Sequence, residues 1–129
     1  MMSANVEQPV FKPDVSFKPN LQLFEEKVTI VHCTYNFPEI FEPSAIRIWP
    51  TTYLLQDDGK QKKLLQAFNI SSFPEWKMVN NGHRFTLIFE GLSKECKVFD
   101  LIEDIPEPGG FKFPGIQRNN TDVYWLDIQ

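Results

Sequence analysis

With 129 residues and 15.1 kDa, the chain holds one domain, or one domain and a short arm. Hydrophobic residues at 42% against 23% charged support a core and exclude wholesale disorder, while ten prolines leave no room for a bundle of long helices. A net charge of −4 argues against a nucleic-acid surface, and no run approaches the ~18 apolar residues of a membrane span.

Residues 1–20 read as an extended arm. Within it Phe11-Lys12-Pro13-Asp14 returns six residues later as Phe17-Lys18-Pro19-Asn20. Proline fixes its own φ and pushes the preceding lysine toward extended geometry, so each copy predicts extended chain ending in a turn. Two uses fit: a strand edge with each Phe tucked into its own domain, or an arm that adds to a neighbour's sheet. The first residues, Met1 to Glu7, carry neither a basic region nor an apolar run, so the expected setting is cytoplasmic rather than secreted.

Residues 21–129 read as short strands punctuated by turns, a β-sandwich domain. Val28 to Phe37 is rich in β-branched and aromatic residues and sets Val31, Cys33, Tyr35 and Phe37 on one face until Pro38 ends it. Ile46 to Trp49 is a second strand, stopped by Pro50. Thr51 to Leu55 leads into Asp57-Asp58-Gly59, a hairpin signal, and the return runs from Lys63 to Phe68. That return also fits one helical turn, because Leu64, Leu65 and Phe68 share a helical face.

Asn80-Asn81-Gly82 is a further turn and opens the clearest strand, Arg84 to Phe89, with Phe85, Leu87 and Phe89 in phase. Val98 to Ile102 follows. An acidic Pro/Gly loop, Glu103 to Gly110, then precedes Phe111-Lys112-Phe113, and Tyr124 to Ile128 ends the series with Tyr124, Leu126 and Ile128 in phase. About eight short strands at this spacing predict an all-β, antiparallel fold.

The middle of the chain resembles a known group. Thr52-Tyr53-Leu54 ahead of Asp58-Gly59-Lys60 carries the likeness, with Phe85-Thr86-Leu87-Ile88-Phe89-Glu90, Phe99-Asp100-Leu101-Ile102-Glu103, and Phe113 near Gly115-Ile116. Over residues 45–116 or so these resemble small β-sandwich modules of Bacteroidetes-type bacteria. The resemblance implies an immunoglobulin-like sandwich and says little about activity, since such modules are largely of unknown function.

No constellation points to catalysis. His32 and Cys33 are adjacent on a strand, so they face opposite sides and cannot hold one ion together. There is no Gly-x-Ser-x-Gly elbow and no phosphate-binding glycine loop. Glu103, Asp104 and Glu107 sit among prolines and glycines, which reads as a solvent loop whose side chains are not held; a Ca²⁺ or acid/base role for them is the outside alternative. Two cysteines, Cys33 and Cys96, are too few for a disulfide framework and lie in apolar segments.

What the strand pattern leaves over is aromatic. Trp49 and Trp76 lie near prolines, and Trp125 falls on the face opposite Tyr124 and Leu126. The expectation is therefore a non-enzymatic protein-interaction or assembly module without cofactor or metal, contacting a protein partner or itself through Phe11, Phe17, Trp49, Trp76 and Trp125. The alternative is a carbohydrate- or small-ligand-binding sandwich with Trp49 and Trp76 as its stacking platform.

Overall fold

The computed structural model describes residues 15, 16 and 27–129. Ten strands run through them: β1 (Val15–Ser16), β2 (Val28–Tyr35), β3 (Ser44–Ile46), β4 (Tyr53–Gln56), β5 (Gln61–Phe68), β6 (Lys77–Val79), β7 (His83–Glu90), β8 (Val98–Ile102), β9 (Lys112–Gln117) and β10 (Val123–Ile128). The only helical piece among the described residues is a 3-10 turn at Glu39–Phe41, and no helix there is long and apolar enough to cross a membrane. The fold is all-β.

The main sheet runs in the order β10-β2-β7-β5-β4-β8-β9, with β1 added to β5; β3 and β6 form a separate two-stranded ribbon. Strand β5 belongs to both halves of the main sheet. Its first residues, Gln61 to Lys63, pair with β4, whereas Leu64 to Phe68 pair with β7. A register shift between Leu64 and Gln66 marks the change, as a bulge does where a strand turns from one sheet direction to another. The halves then face each other: Phe99 of β8 meets Tyr124 of β10 edge-on, with ring centroids 5.0 Å apart.

Alternation explains the core. Val31 and Cys33 on β2, Phe85, Leu87 and Phe89 on β7, and Phe99 and Leu101 on β8 point inward and are buried. Phe89 and Phe99 are fully enclosed, each contributing ~1.5–3 kcal/mol through removal from water. Both cysteines are free and buried in this cluster, and burial pushes the Cys33 thiol up to about 12. The β4–β5 hairpin turns on Gly59, at φ +88°, where an L side chain would be strained. Asp58 stabilises that turn by accepting from the Lys60 N–H at 2.9 Å and from Gln56 at 3.1 Å, which hold its carboxyl below the usual range.

Two expectations change, and one open alternative is settled. The sheet is mixed, because β10 runs parallel to β2 over six register pairs, while the other strand pairs are antiparallel. Residues 63–68 are strand and not a helical turn. β9 continues through Pro114 to Gln117, which an edge strand allows because no neighbour requires the missing N–H.

A polar network joins the loops beside β10. Arg118 donates from Nε and Nη2 to the two oxygens of Asp122, both at 3.1 Å, and from Nη1 to the carbonyls of Ser93 and Cys96. Tyr124 donates its hydroxyl to Asp122 at 3.0 Å and accepts the Asn119 N–H at 3.1 Å. The β7–β8 loop is thereby tied to the β9–β10 loop.

Candidate functional site

Register builds the candidate surface. In the β3–β6 ribbon Ala45 opposes Met78 and Ile46 opposes Lys77, so the next opposed positions are Arg47 and Trp76. Side chains alternate, which turns Ile46 and Val79 toward the interior and Ala45, Arg47, Trp76 and Met78 outward. The Arg47 guanidinium carbon lies 3.8 Å from the Trp76 ring centroid and 4.6 Å from that of Phe73. Phe73 in turn stacks on Trp49 at 3.8 Å, tilted by 20°. The result is an ordered pile of Trp49, Phe73, Arg47 and Trp76.

Hydrogen bonds fix the guanidinium in place. Nη1 donates to the Pro74 carbonyl at 3.0 Å and Nη2 to Glu107 at 3.1 Å. Arg47 is thus nearly covered, with its side chain 11% exposed, and little rotamer freedom remains to be lost when something binds over it.

Beside the pile lies a cleft of about 280 Å³. Its apolar wall includes Ile46, Ile70, Phe85 and Phe111, and its rim includes Arg47, Trp49, Trp76, Glu103 and Glu107. The acidic loop is therefore not the free solvent loop expected from its prolines. Glu103 is buried and accepts the Trp49 N–H at 3.2 Å and the Phe111 N–H at 3.4 Å. Burial raises its pKa, and the two N–H donors oppose that rise only in part. Glu107 is the ion-pair partner of Arg47, and Asp104 is exposed. The described residues contain no group of three His, Cys, Asp or Glu that could hold a metal ion.

The expected site residues separate. Trp49 and Trp76 come together at the cleft, although as members of one pile rather than as an open two-ring platform: Phe73 covers Trp49, and Arg47 lies over Trp76. Trp125 is elsewhere, on the outer side of β10, 71% exposed, with its ring 5.5 Å from His32. His32 also hydrogen-bonds Thr86 across the sheet at 2.8 Å. Phe11 and Phe17 lie outside the described residues. Of the flanking arm, Val15 and Ser16 pair with Ala67 and Gln66 of β5.

Sequence reasoning missed Arg47, Met78, Ile40 and Phe41. Ile40 and Phe41 stand at 83% and 62% exposure in the 3-10 turn that enters β3. A Phe before Glu-Pro outside any alternating run was the available signal for that turn. Arg47 offered none, because its role depends on a β3–β6 register set by residues ~30 positions apart. No protein-family model, curated protein or solved structure matches the chain.

Proposed function

We propose that this protein is a non-enzymatic binding module that docks a protein partner on the outer face of the β3–β6 ribbon, with one apolar partner side chain entering the adjacent cleft. One observation carries the reading. Of six large exposed hydrophobic side chains among the described residues, five (Ile40, Phe41, Phe73, Trp76 and Met78) belong to the ribbon or to the segments that enter it. Isolated exposed apolar residues are ordinary, whereas a concentration of them beside polar groups marks an interaction surface. The residue types agree: Trp, Arg and Met are enriched at interface centres, and a preordered Arg–Trp stack reduces the entropy lost on binding.

The immunoglobulin-like character belongs to the same proposal, as does kinship with the modules of Bacteroidetes-type bacteria. Its support is the two facing sheet halves and the motif order along residues 45–116. The strand β5 shared by both halves and the parallel β2–β10 pair depart from a plain antiparallel sandwich.

The test is a photo-cross-linking residue placed at Met78, with an identical one at exposed Lys94 as control, in the cell that makes the protein. The expected result is a discrete adduct from position 78 that disappears with Trp76→Ala. Equal adducts from both positions, or none from 78, would sink the reading. The cleft also favours a second reading, a small ligand or sugar held at Trp76. Quenching of Trp fluorescence by a glycan, lost in Trp76→Ala, would support it.

A further inference from the structure

The main sheet ends in two very different edges. At one end stands β9, with Lys112 exposed, Pro114 lacking an N–H, Gly115 at φ +70°, and a register shift against β8. Those are the devices that keep an edge from pairing with another chain. At the other end stands β10, whose sequence Val-Tyr-Trp-Leu-Asp-Ile has no proline, no glycine and no lysine.

Among the described residues the β10 edge is also chemically open. The Ile30 N–H donates to the Asp122 carbonyl and the Asn36 N–H to the Ile128 carbonyl, so the even-numbered residues of β10 present their backbone groups to β2. Alternation turns the N–H and C=O groups of Val123, Trp125 and Asp127 the other way. The Val123 carbonyl accepts from the Asn119 side chain; among the described residues nothing takes the backbone groups of Trp125 or Asp127.

We propose that β10 pairs antiparallel with β10 of a second copy of this chain, about a twofold axis at Trp125. In that register Trp125 opposes its own counterpart, and Val123 opposes Asp127 of the other copy. Trp125 then exchanges both backbone hydrogen bonds with its counterpart, and Asp127 pairs with Val123, whose carbonyl shares its acceptor capacity with the Asn119 side chain. The two indoles, now 71% exposed, lie side by side on one face at the ~5.5 Å Cα spacing of a hydrogen-bonded pair.

Electrostatics favours this register over the one centred on Leu126. Centred on Trp125, the two Asp127 positions are four residues apart along the ladder, about 14 Å, beyond the ~8–10 Å screening length. Centred on Leu126 they would be two residues apart, about 7 Å, in a pair of chains that each carry −4. Pairing by β10 about a twofold axis also closes: it uses the same edge of both copies and leaves the far end of each sheet path at the blunted β9, so a dimer forms and not a fibre. This interface is distinct from the ribbon, and neither proposal depends on the other.

Two buried indoles and one strand pair fall well short of ~1,200 Å², which places the dimer in the weak class and sets the concentrations to examine at about 10 µM to 1 mM. Sedimentation equilibrium over that range is expected to show the mass rising from 15.1 kDa toward twice that value. Trp125→Lys, on an exposed position, is expected to keep the wild-type circular dichroism and raise the dimer Kd at least tenfold. Register is read by disulfide trapping: Val123→Cys mixed with Asp127→Cys gives a covalent dimer, and either variant alone gives none. A protein that stays monomeric to 1 mM, association unchanged in Trp125→Lys, or cross-linking within a single variant would each overturn the proposal.

Discussion

Replacing Asp122 by Ala removes the carboxylate on which the β9–β10 loop network converges. Its side chain is 10% exposed and that of Arg118 is 19% exposed, so neither is freely hydrated. The change leaves Nε and Nη2 of Arg118 without acceptors, and it leaves the Tyr124 hydroxyl without the oxygen it donates to. Breaking a buried ion pair from one side costs ~3–5 kcal/mol. Arg118 retains the carbonyls of Ser93 and Cys96, and some water reaches it, which puts the expected loss near the lower end, about 3 kcal/mol.

Backbone and side chain can be separated at this position. Asp122 sits at φ +57°, where Ala is strained by ~1 kcal/mol and Gly is not. Asp122→Gly should therefore be less damaging than Asp122→Ala by roughly that amount. Asp122→Asn tolerates the same φ and still accepts from Tyr124, so it should lose only about half of the ion-pair share, ~1.5 kcal/mol. Equilibrium urea unfolding followed by circular dichroism measures all three. With an m-value of ~2 kcal/mol/M, the Gly variant should unfold ~1.5 M earlier and the Ala variant, with its added strain, ~2 M earlier. A loss under about 1 kcal/mol for Ala, or Asn as damaging as Ala, would refute the account of the network.

Other consequences can be tested in parallel. Burial pushes the Tyr124 hydroxyl up to about 12, so the folded state resists its ionisation; stability should be complete below the ordinary tyrosine value of ~10 and fall as pH rises toward 12, and Tyr124→Phe should flatten that decline. The raised pKa of Glu103 has the same sign: its effect on stability is favourable below the unfolded glutamate value of ~4.3 and is lost as pH rises through the folded value. Glu103→Gln, which keeps one acceptor oxygen, should reduce that dependence in unfolding curves collected between about pH 4 and 7. Thiol reagents should label neither Cys33 nor Cys96 in the folded protein and both in urea, since both are buried; rapid native labelling of either would contradict the packing described. Gly59→Ala should lower the unfolding free energy by ~1 kcal/mol, wholly through backbone strain at φ +88°, because the added methyl would project into open space.

Strands with a long unbroken alternation were readable from the sequence, namely β2, β7, β8 and β10. Their inward phase was readable for the same reason: Val31, Phe85 and Phe99 each repeat an apolar residue at period two. β6 was not, because Lys77 to Val79 is too short to display any period. The β5 return looked equally helical because its bulge shifts Leu64 and Leu65 out of strict alternation. The parallel partnership of β10 with β2 spans about ninety residues of chain and leaves no local trace.

The site divided along the same line. Trp76 and Trp125 could be suspected individually, Trp76 as a large ring in a loop beside proline and Trp125 as one out of phase with a core face. What surrounds them could not. Arg47 reaches Trp76 through a β3–β6 pairing, and Glu103 becomes buried only when Trp49, 54 positions earlier, brings its N–H to the carboxylate. Carboxylates in a Pro/Gly loop look solvated until the rest of the chain arrives.

The parallel pairing of β2 with β10 has a mechanical meaning. A tension applied at Lys27 and Gln129 pulls on the leading end of β2 and the trailing end of β10, which lie at opposite ends of their shared ladder. The strands are then drawn past one another, and the ladder from the Ile30–Val123 pair to the Tyr35–Ile128 pair bears the load together. An antiparallel pair pulled from adjacent ends would instead peel one bond at a time. Held in a chain under tension, this domain resists extension along its strands, and its rate of forced opening is governed by the barrier to breaking that ladder as a unit.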